Sequence, residues 1–540
     1  MNDTKNIFFR RKFSINPYKR LRIPLGEMSL YTDWTVSKRG DTYPLVAKSG
    51  EISERVALTE YGASGDGSLS RLLGQHFPYA TYALRLGELN GSLGFSFICD
   101  GNGGGEYTPD NAPRAYIYLN SEENGVFVRC DAYIGASDTP TSSFSAPITG
   151  GAEAGNVFSV TCRGDFFDIY LDRGNMPEFI CTFELPELAE IRKLINFRAC
   201  SANLFVSLKN DGCVTARDIC WYLEGGVAHA DIRPIRYEDG TPMMEGGRLF
   251  MTMSSRLAAG GFQSVISWDP YGCDLRLEGA LFFDAGDGAW CGDVASSVLY
   301  NRMTNEFMLW MCSFSHGHIL AHGVSKADLR HGIHVIDVTL MPVEAYRESA
   351  EEDGTDPGGA KKRGNAIISD DRSFAGKHGD EDPDFYYDAE LGKWFLTVCR
   401  HSTQSNGGSG YEYFRFVSDR PFDGYTFIAR TDGAQETGGS TVRIGEERYF
   451  FCGSRFDARA RYNAYRIEKG EQGGFEPIGN ILCDFDDGGF RGWGTVIPVP
   501  CGNRMKYMWM TFDRHLGSPT YNWSYGNLYV YESDLFPTLS

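Results

Sequence analysis

Acidic side chains recur at the start of similar segments in the second half of this 540-residue chain. Asp231, Asp293 and Asp382 each begin a segment in which a turn and an apolar, aromatic-rich stretch follow. Two further copies begin at Ser440 and Gly494. Carboxyl groups that lie close together can act as acid and base on a bound substrate. The pattern therefore predicts acid–base chemistry at the point where the segments meet.

Five strand–turn–strand units must position these carboxylates. The copies extend from residue 231 to residue 540, at spacings of roughly 50–90 residues, and such a repeat is the signature of a β-propeller. Five blades leave a narrow central funnel, and the first strands of the blades start at its mouth. The repeat thus predicts both the fold and the place of the chemistry.

The rest of the chain also reads as β-structure. Strand-like runs alternate with Gly, Asn and Asp turns before the repeats begin, and VFSVTCRGDFFDIYLDRG predicts a hairpin that turns at Gly164-Asp165. No long helical periodicity is present. We therefore predict an all-β chain with an N-terminal arm (1–28), a β-sandwich domain (29–226) and a five-bladed β-propeller (227–540). A polar, Gly-rich insertion at 345–381 predicts a lid over the funnel.

Charge and composition exclude some functions. The net charge of −19 argues against binding to a nucleic-acid backbone, and no run approaches the roughly 20 apolar residues of a membrane span. Fourteen cysteines occur without a CxxC motif, and the N-terminus lacks the features of a signal peptide. We expect a cytoplasmic protein, or a secreted one if a leader was removed. No cofactor is predicted, a divalent cation stays an open alternative, and the oligomeric state is undetermined.

Two segments resemble known families. The segment DEDPDFYYDAELGKWFLTV, from Asp380, resembles the blade motif of five-bladed glycoside hydrolases. That superfamily contains invertase/fructanase-like retaining enzymes and arabinanase/xylosidase-like inverting enzymes. The hairpin at Gly164-Asp165 is similar to a strand pair of concanavalin-like (laminin-G-like) β-sandwiches, which bind glycans or brace a catalytic partner. The resemblance implies a sugar-cleaving propeller with an N-terminal sandwich.

The hydrolase resemblance implies roles for three acids. Asp382 would stabilise the transition state or tune the pKa of the acid, Glu436 would be the general acid, and Asp231 the nucleophile or general base. Glycosidic cleavage needs one protonated carboxyl and one carboxylate on opposite sides of the bond. The local patterns differ from the family, because Glu436 precedes Thr-Gly-Gly instead of Pro and Asp231 precedes Ile-Arg-Pro. The alternative is that each acid caps a turn at a strand end.

Further residues are candidates for substrate binding. Asp293 is a candidate ligand of a sugar hydroxyl or an alternative acid, and Trp290 a candidate stacking platform or a core residue. Arg or His ends the second strand of every predicted blade: Arg256, His316, His318, Arg400, His401, Arg455, Arg514 and His515. Such a cationic crown predicts an anionic sugar held by Arg forks. Alternatively, these arginines pair with acids. A metal site at His316-Gly-His318 is a weaker alternative.

The leading hypothesis is a glycoside hydrolase that acts on an oligosaccharide or polysaccharide. The second is a polysaccharide lyase with a His or Tyr base and a cationic crown that neutralises a uronate. The third is a glycan-binding protein without catalysis. A glycan is the expected partner in all three cases, and the sugar, its linkage and the stereochemical course stay open.

Overall fold

The computed structural model describes most of the chain. The described residues are 5–15, 22–24, 30–32, 36–37, 45–56, 60–99, 112–163, 166–184, 200–224, 228–256, 261–272, 274–286, 290–292, 294–316, 319–341, 380–405, 408–431, 436–454, 462–483, 494–512 and 528–533. The predicted lid falls almost wholly outside these ranges. In the described part of the chain, no helix is long and apolar enough to cross a membrane.

The N-terminal part of the chain is built from strands joined by turns. Its strands are β1 Lys5–Ile15, β2 Arg22–Pro24, β3 Leu30–Thr32, β4 Val36–Ser37, β5 Leu45–Val56, β6 Glu60–Gln75, β7 Thr81–Asn90, β8 Ser92–Cys99, β9 Arg114–Glu122, β10 Gly125–Tyr133, β11 Ser142–Pro147, β12 Val157–Arg163, β13 Phe166–Asp172, β14 Pro177–Glu184 and β15 Cys200–Glu224.

Two layers of these strands enclose one core. The long strand β15 pairs with β8 through its first half and with β7 through its second half. It thereby joins the β8–β11 layer to the layer of β7 and β12–β14. Aromatic rings from both layers meet in the core, where Phe95 stacks on Phe158 and Phe97 on Phe167. Alternating burial along β9 is typical of a strand with one face on a core.

The remaining strands form the blades, with a single 3₁₀ turn at Phe314–His316 in the described residues. They are β16 Ala228–Pro234, β17 Arg236–Tyr237, β18 Met244–Glu245, β19 Arg248–Arg256, β20 Gly261–Trp268, β21 Leu275–Asp284, β22 Trp290–Cys291, β23 Val294–Asn301, β24 Glu306–Ser313, β25 Ile319–Ser325, β26 Gly332–Met341, β27 Asp380–Asp388, β28 Lys393–Ser405, β29 Gly408–Ser418, β30 Thr426–Arg430, β31 Glu436–Ile444, β32 Glu447–Ser454, β33 Tyr462–Ile467, β34 Phe475–Cys483, β35 Gly494–Cys501, β36 Arg504–Phe512 and β37 Leu528–Ser533.

Five antiparallel blades close into a ring. The first blade runs β16-β19-β20-β21, the second β23 to β26, the third β27 to β30 and the fourth β31 to β34, while the fifth contains β35, β36 and β37. The first strands contact one another in the order β16, β23, β27, β31, β35, and β35 contacts β16 again. These first strands are mostly buried, as in β27, β31 and β35, although each of the three carries polar or turn-forming residues. The predicted all-β fold, a five-bladed propeller preceded by a β-sandwich, is confirmed.

The N-terminal strand β1 is the fourth strand of the fifth blade. Arg10–Ile15 pairs antiparallel with β37, and Lys5–Phe9 pairs in parallel with β34 of the fourth blade. The predicted arm therefore contributes a strand that joins the last two blades. Leu30–Thr32, which lies within the range predicted for the sandwich, pairs with β26 of the second blade.

Candidate functional site

The first strands of four blades share an irregularity near their starts. Each loses register with the second strand of its blade at one point, as a β-bulge does. The shifts lie between Ala230 and Arg233, Val294 and Ser297, Glu381 and Asp384, and Thr437 and Ser440. The antiparallel pairing also brings the end of each second strand back beside these starts. The bulges therefore lie at one end of the ring.

Each bulge contains a residue in the left-handed conformation. The φ angles are 54° at Asp231, 56° at Ala295, 52° at Asp382 and 65° at Gly438. Aspartate and glycine tolerate this conformation better than other residues. Asp231 and Asp382 thus occupy equivalent positions in the first and third blades, and Glu436 lies two residues before the corresponding glycine of the fourth blade.

Asp231 is held by a chain of hydrogen bonds between the first two blades. The Ser254 hydroxyl donates to Asp231 Oδ2 at 2.7 Å and accepts hydrogen bonds from Gln263 Nε2 at 2.8 Å and Ala295 N at 3.2 Å. Gln263 Oε1 in turn accepts a hydrogen bond from the Ser296 hydroxyl at 2.7 Å. The bulge of the second blade therefore fixes the position of the half-buried Asp231 carboxylate.

Asp382 is almost fully buried, with 4% exposure. Its Oδ2 accepts a hydrogen bond from Gly438 N at 2.7 Å, and the Tyr413 hydroxyl lies 3.5 Å away. Burial and the neighbouring Asp231 carboxylate raise the pKa of Asp382 to about 7, although Arg233 acts in the opposite direction. This carboxyl can therefore change protonation near neutral pH.

Arg233 connects the first blade to the third. Its Nη2 lies 3.5 Å from Asp382 Oδ1, and its Nη1 donates to the Pro383 carbonyl. The guanidinium is buried with 2% exposure, and the nearby carboxylates raise its pKa despite the opposing effect of burial. It supplies a fixed positive charge beside the acids.

Glu436 is fully buried at the start of β31. Asn463 Nδ2 and the Tyr465 hydroxyl donate to its Oε1 at 2.6 and 2.5 Å. No hydrogen bond of ordinary geometry reaches Oε2, and Thr431 and Cys452 lie beside the carboxyl. Burial raises the pKa of Glu436, whereas the hydrogen bonds lower it, and the net change is upward. The hydrogen bonds to Oε1 thus orient the carboxyl group, and its pKa lies above that of an ordinary glutamate.

A buried ion pair lies beneath the three acids. Arg236 Nη1 and Nη2 donate to the two oxygens of Asp384, and Arg236 Nη1 also donates to the Thr441 carbonyl. Asp384 accepts further hydrogen bonds from Thr441 N at 2.8 Å and the Ser297 hydroxyl at 3.1 Å. This layer ties β17 to the first strands of the second, third and fourth blades.

Of the two alternatives for Trp290, a stacking platform or a core residue, its position matches the core residue. Its side chain is only 3% exposed, and its ring lies 5.3 Å from the ring of Phe77 in the sandwich domain. Phe262, Phe282 and Trp290 share one core cluster with the sandwich residues. Trp290 therefore packs between strands of the blades and strands of the sandwich, and little of its side chain is open to a sugar.

Only some residues of the predicted cationic crown lie in the described part of the chain. Arg400 is buried and its Nε lies 3.3 Å from Asp380 Oδ1, which matches the alternative that crown arginines pair with acids. His316 Nδ1 lies 2.8 Å from the Ser313 hydroxyl. Arg256 and His401 are placed only by their backbones. The other candidates lie outside the described residues: Asp293, His318, Arg455, Arg514 and His515.

Several residues at the site were not predicted. Arg233, Ser254, Gln263, Tyr413 and Tyr465 contact the acids or hold the next bulge in place. Arg233 is only two positions from Asp231, so its proximity could have been noticed. The others are ordinary strand residues, and nothing in the local sequence distinguishes them.

The arrangement can move protons. One end of the ring holds a buried carboxyl with a raised pKa, a second carboxyl that titrates near neutral pH and a half-buried carboxylate beside it. Acid–base cleavage needs carboxyl groups whose environments differ in this way.

Comparisons with known proteins return solved structures only. The sequence matches no protein-family model, and it shows no significant similarity to a curated protein. A thermostable family-43 glycoside hydrolase matches at 14% identity and a TM-score of 0.38, over 58% of this chain and 91% of that one. An exo-beta-1,3-galactanase from Clostridium thermocellum matches at 12% identity and a TM-score of 0.34, over 56% and 62%. Bacillus subtilis levansucrase matches at 10% identity and a TM-score of 0.34, over 58% of this chain and 85% of that one. At these values the similarity is weak, and it assigns no substrate to this chain.

Proposed function

We propose that this protein is a glycoside hydrolase whose reaction takes place at Asp231, Asp382 and Glu436. One observation carries the proposal: two equivalent bulges present Asp231 and Asp382 at the same end of the ring as the buried Glu436. Glu436 donates a proton to the leaving oxygen, because burial favours its protonated form. Asp231 acts on the anomeric carbon, directly or through a water molecule.

Asp382 and Arg233 control the charge of the site in this proposal. Burial and the neighbouring Asp231 disfavour the ionised form of Asp382, whereas Arg233 favours it. The Tyr413 hydroxyl beside Asp382 is a poor candidate for a lyase base, because burial raises its pKa well above the ordinary value. A lyase would therefore need one of the histidines as its base. That the sugar carries a carboxylate is a further hypothesis, and it depends on the crown residues outside the described part of the chain.

The proposal is tested by mass spectrometry of the products in water enriched in ¹⁸O. The protein is incubated with a panel of neutral and uronate-containing oligosaccharides. Hydrolysis adds one water per cleavage and places one ¹⁸O in a product. Products without added water and with an unsaturated end would establish a lyase instead. Intact substrates that nevertheless bind the protein would support the third hypothesis, a glycan-binding protein.

A further inference from the structure

A cavity of about 280 Å³ opens at the other end of the propeller, between the third and fourth blades. Tyr386 and Phe395 line it from the third blade and Arg448 from the fourth. On β27, Asp388 at this cavity lies six residues beyond Asp382, which corresponds to about 20 Å of strand. The cavity is therefore separate from the acids proposed for hydrolysis.

Arg415 is a buried cation in the wall of this cavity. It is 1% exposed, its Nε donates to the Gly473 carbonyl at 3.0 Å, and its Nη2 donates to the Tyr386 hydroxyl at 2.7 Å. Its guanidinium carbon lies 4.3 Å from the centre of the Phe395 ring. Nη1 is buried without a hydrogen-bond partner, and no carboxylate among the described residues forms an ion pair with Arg415. Burying a charge without a counter-ion is costly.

Arg448 supplies a second donor beside the Tyr386 ring. Its Nη1 donates to Asp388 Oδ2 at 2.9 Å, whereas its buried Nε has no hydrogen-bond partner. The guanidinium carbons of Arg448 and Arg415 lie 4.5 and 5.5 Å from the centre of the same Tyr386 ring. Two buried N–H groups without partners are thus close to one aromatic side chain.

The carboxylates around the cavity do not balance the charge of Arg415. Those nearest the wall have other cations: Asp388 pairs with Arg448, Asp239 with Arg443 and Glu447 with Lys469. The remaining acids are exposed at the mouth: Glu390, Glu446 and Glu468. Because water and salt screen exposed charges, these acids do not neutralise the buried Arg415. They still repel a ligand that carries several negative charges. Among the residues that the structure describes, the buried charge of Arg415 therefore has no counter-ion.

We propose that this cavity binds a small monoanion with a carboxylate group. Its two oxygens accept hydrogen bonds from Arg415 Nη1 and Arg448 Nε, and its single negative charge balances Arg415. Guanidinium donors match the geometry of a carboxylate, and the aromatic rings of Phe395 and Tyr386 offer an apolar wall to the rest of the ligand. The site is independent of glycoside cleavage.

The probe is trifluoroacetate, observed by ¹⁹F NMR with the full-length protein, and acetate is the competitor. We expect saturable broadening of the probe signal that acetate reverses, with at least tenfold weaker binding to Arg415→Met. Arg448→Gln, at a more exposed position, should weaken binding of the probe as well. It replaces Arg415→Met as the test variant if Arg415→Met does not fold. Acetate should also raise the unfolding temperature of the natural protein and not that of Arg415→Met.

The fate of Arg415→Met separates the proposal from a purely structural role. Without an anion, Arg415→Met removes an unbalanced buried charge but also the hydrogen bonds to the Gly473 carbonyl and the Tyr386 hydroxyl, so these two effects on stability oppose each other and the response to acetate is the deciding readout. If Arg415 only braces Gly473 and Tyr386, the variant loses stability and acetate has no effect on either protein. Absence of probe binding, or equal binding by natural protein and variants, overturns the proposal.

Discussion

Asp231 and Asp382 are equivalent residues of two different blades. Each is the left-handed residue of a bulge in a first strand, with φ angles of 54° and 52°, and the charge of the first raises the pKa of the second. The propeller repeat thus brings together two acids that are 151 positions apart in the sequence. Their coupling, together with the buried Glu436, is the physical basis of the proposed chemistry.

The raised pKa of Asp382 predicts a specific dependence of stability on pH. Its pKa is about 7 in the folded protein and about 3.9 in the unfolded chain, so between these values the folded state binds more protons. This contribution to stability is complete below about pH 4 and is lost as pH rises through 7. We expect the natural protein to lose up to roughly 4 kcal/mol relative to Asp382→Asn over this range.

Chemical denaturation of both proteins at pH 4.5, 6, 7 and 8 measures this difference. Asp419→Asn, at an exposed position of the third blade, is the matched control and should follow the natural protein at every pH. Parallel curves for the natural protein and Asp382→Asn would show that Asp382 does not titrate in this range.

Ser254 should act as a positioning residue for Asp231. Ser254→Ala removes the donor to Asp231 and the acceptor for Gln263 and Ala295 N, so we expect about 1–3 kcal/mol lower stability. On the substrate found with the oligosaccharide panel, kcat should fall roughly tenfold to a hundredfold with little change in KM. Ser254→Thr, which retains the hydroxyl, should restore most of kcat. An unchanged kcat in Ser254→Ala would exclude this role.

The Arg236–Asp384 pair should show strong energetic coupling. Arg236→Met leaves a buried carboxylate without its cation, and we expect a cost of about 3–5 kcal/mol. The double variant with Asp384→Leu should cost clearly less than the two single costs added together. The exposed pair Arg420–Asp423 is the control, with an expected coupling of at most about 1 kcal/mol. Denaturant unfolding of the four proteins in each cycle measures both couplings, and additive costs at Arg236 and Asp384 would contradict the prediction.

Strand β1 should be needed for a stable ring. Deleting residues 1–15 opens an edge on β34 and on β37, and open edges favour association between chains. We expect a lower unfolding temperature in calorimetry and concentration-dependent association in sedimentation velocity. Deleting only residues 1–4 leaves the strand intact and is the control. A 1–15 deletion that unfolds at the same temperature would show that β1 adds little.

The repeat made the ring of blades predictable, because each copy has its own turn and apolar strand. It also predicted that Asp231, Asp382 and Glu436 lie at the starts of first strands. The bulges could not be predicted, because only Gly438-Gly439 marks one of them in the sequence. The sequence left Trp290 between a stacking platform and a core residue, because its contact with Phe77, more than 200 positions earlier, has no local signal. Contacts between residues far apart in the sequence, such as Arg233 with Asp382, depend on how the blades pack around the ring.

The comparison of the natural protein with Glu436→Gln tests the central claim most directly. Gln can still accept the hydrogen bonds from Asn463 and Tyr465, but it cannot donate a proton as an acid, so kcat should fall by about 10²–10⁴ while the substrate still binds. Glu471→Gln, at a half-exposed position of the same blade, should keep full activity. We predict this result for the substrate that the oligosaccharide panel yields. Unchanged turnover by Glu436→Gln would contradict the proposed chemistry.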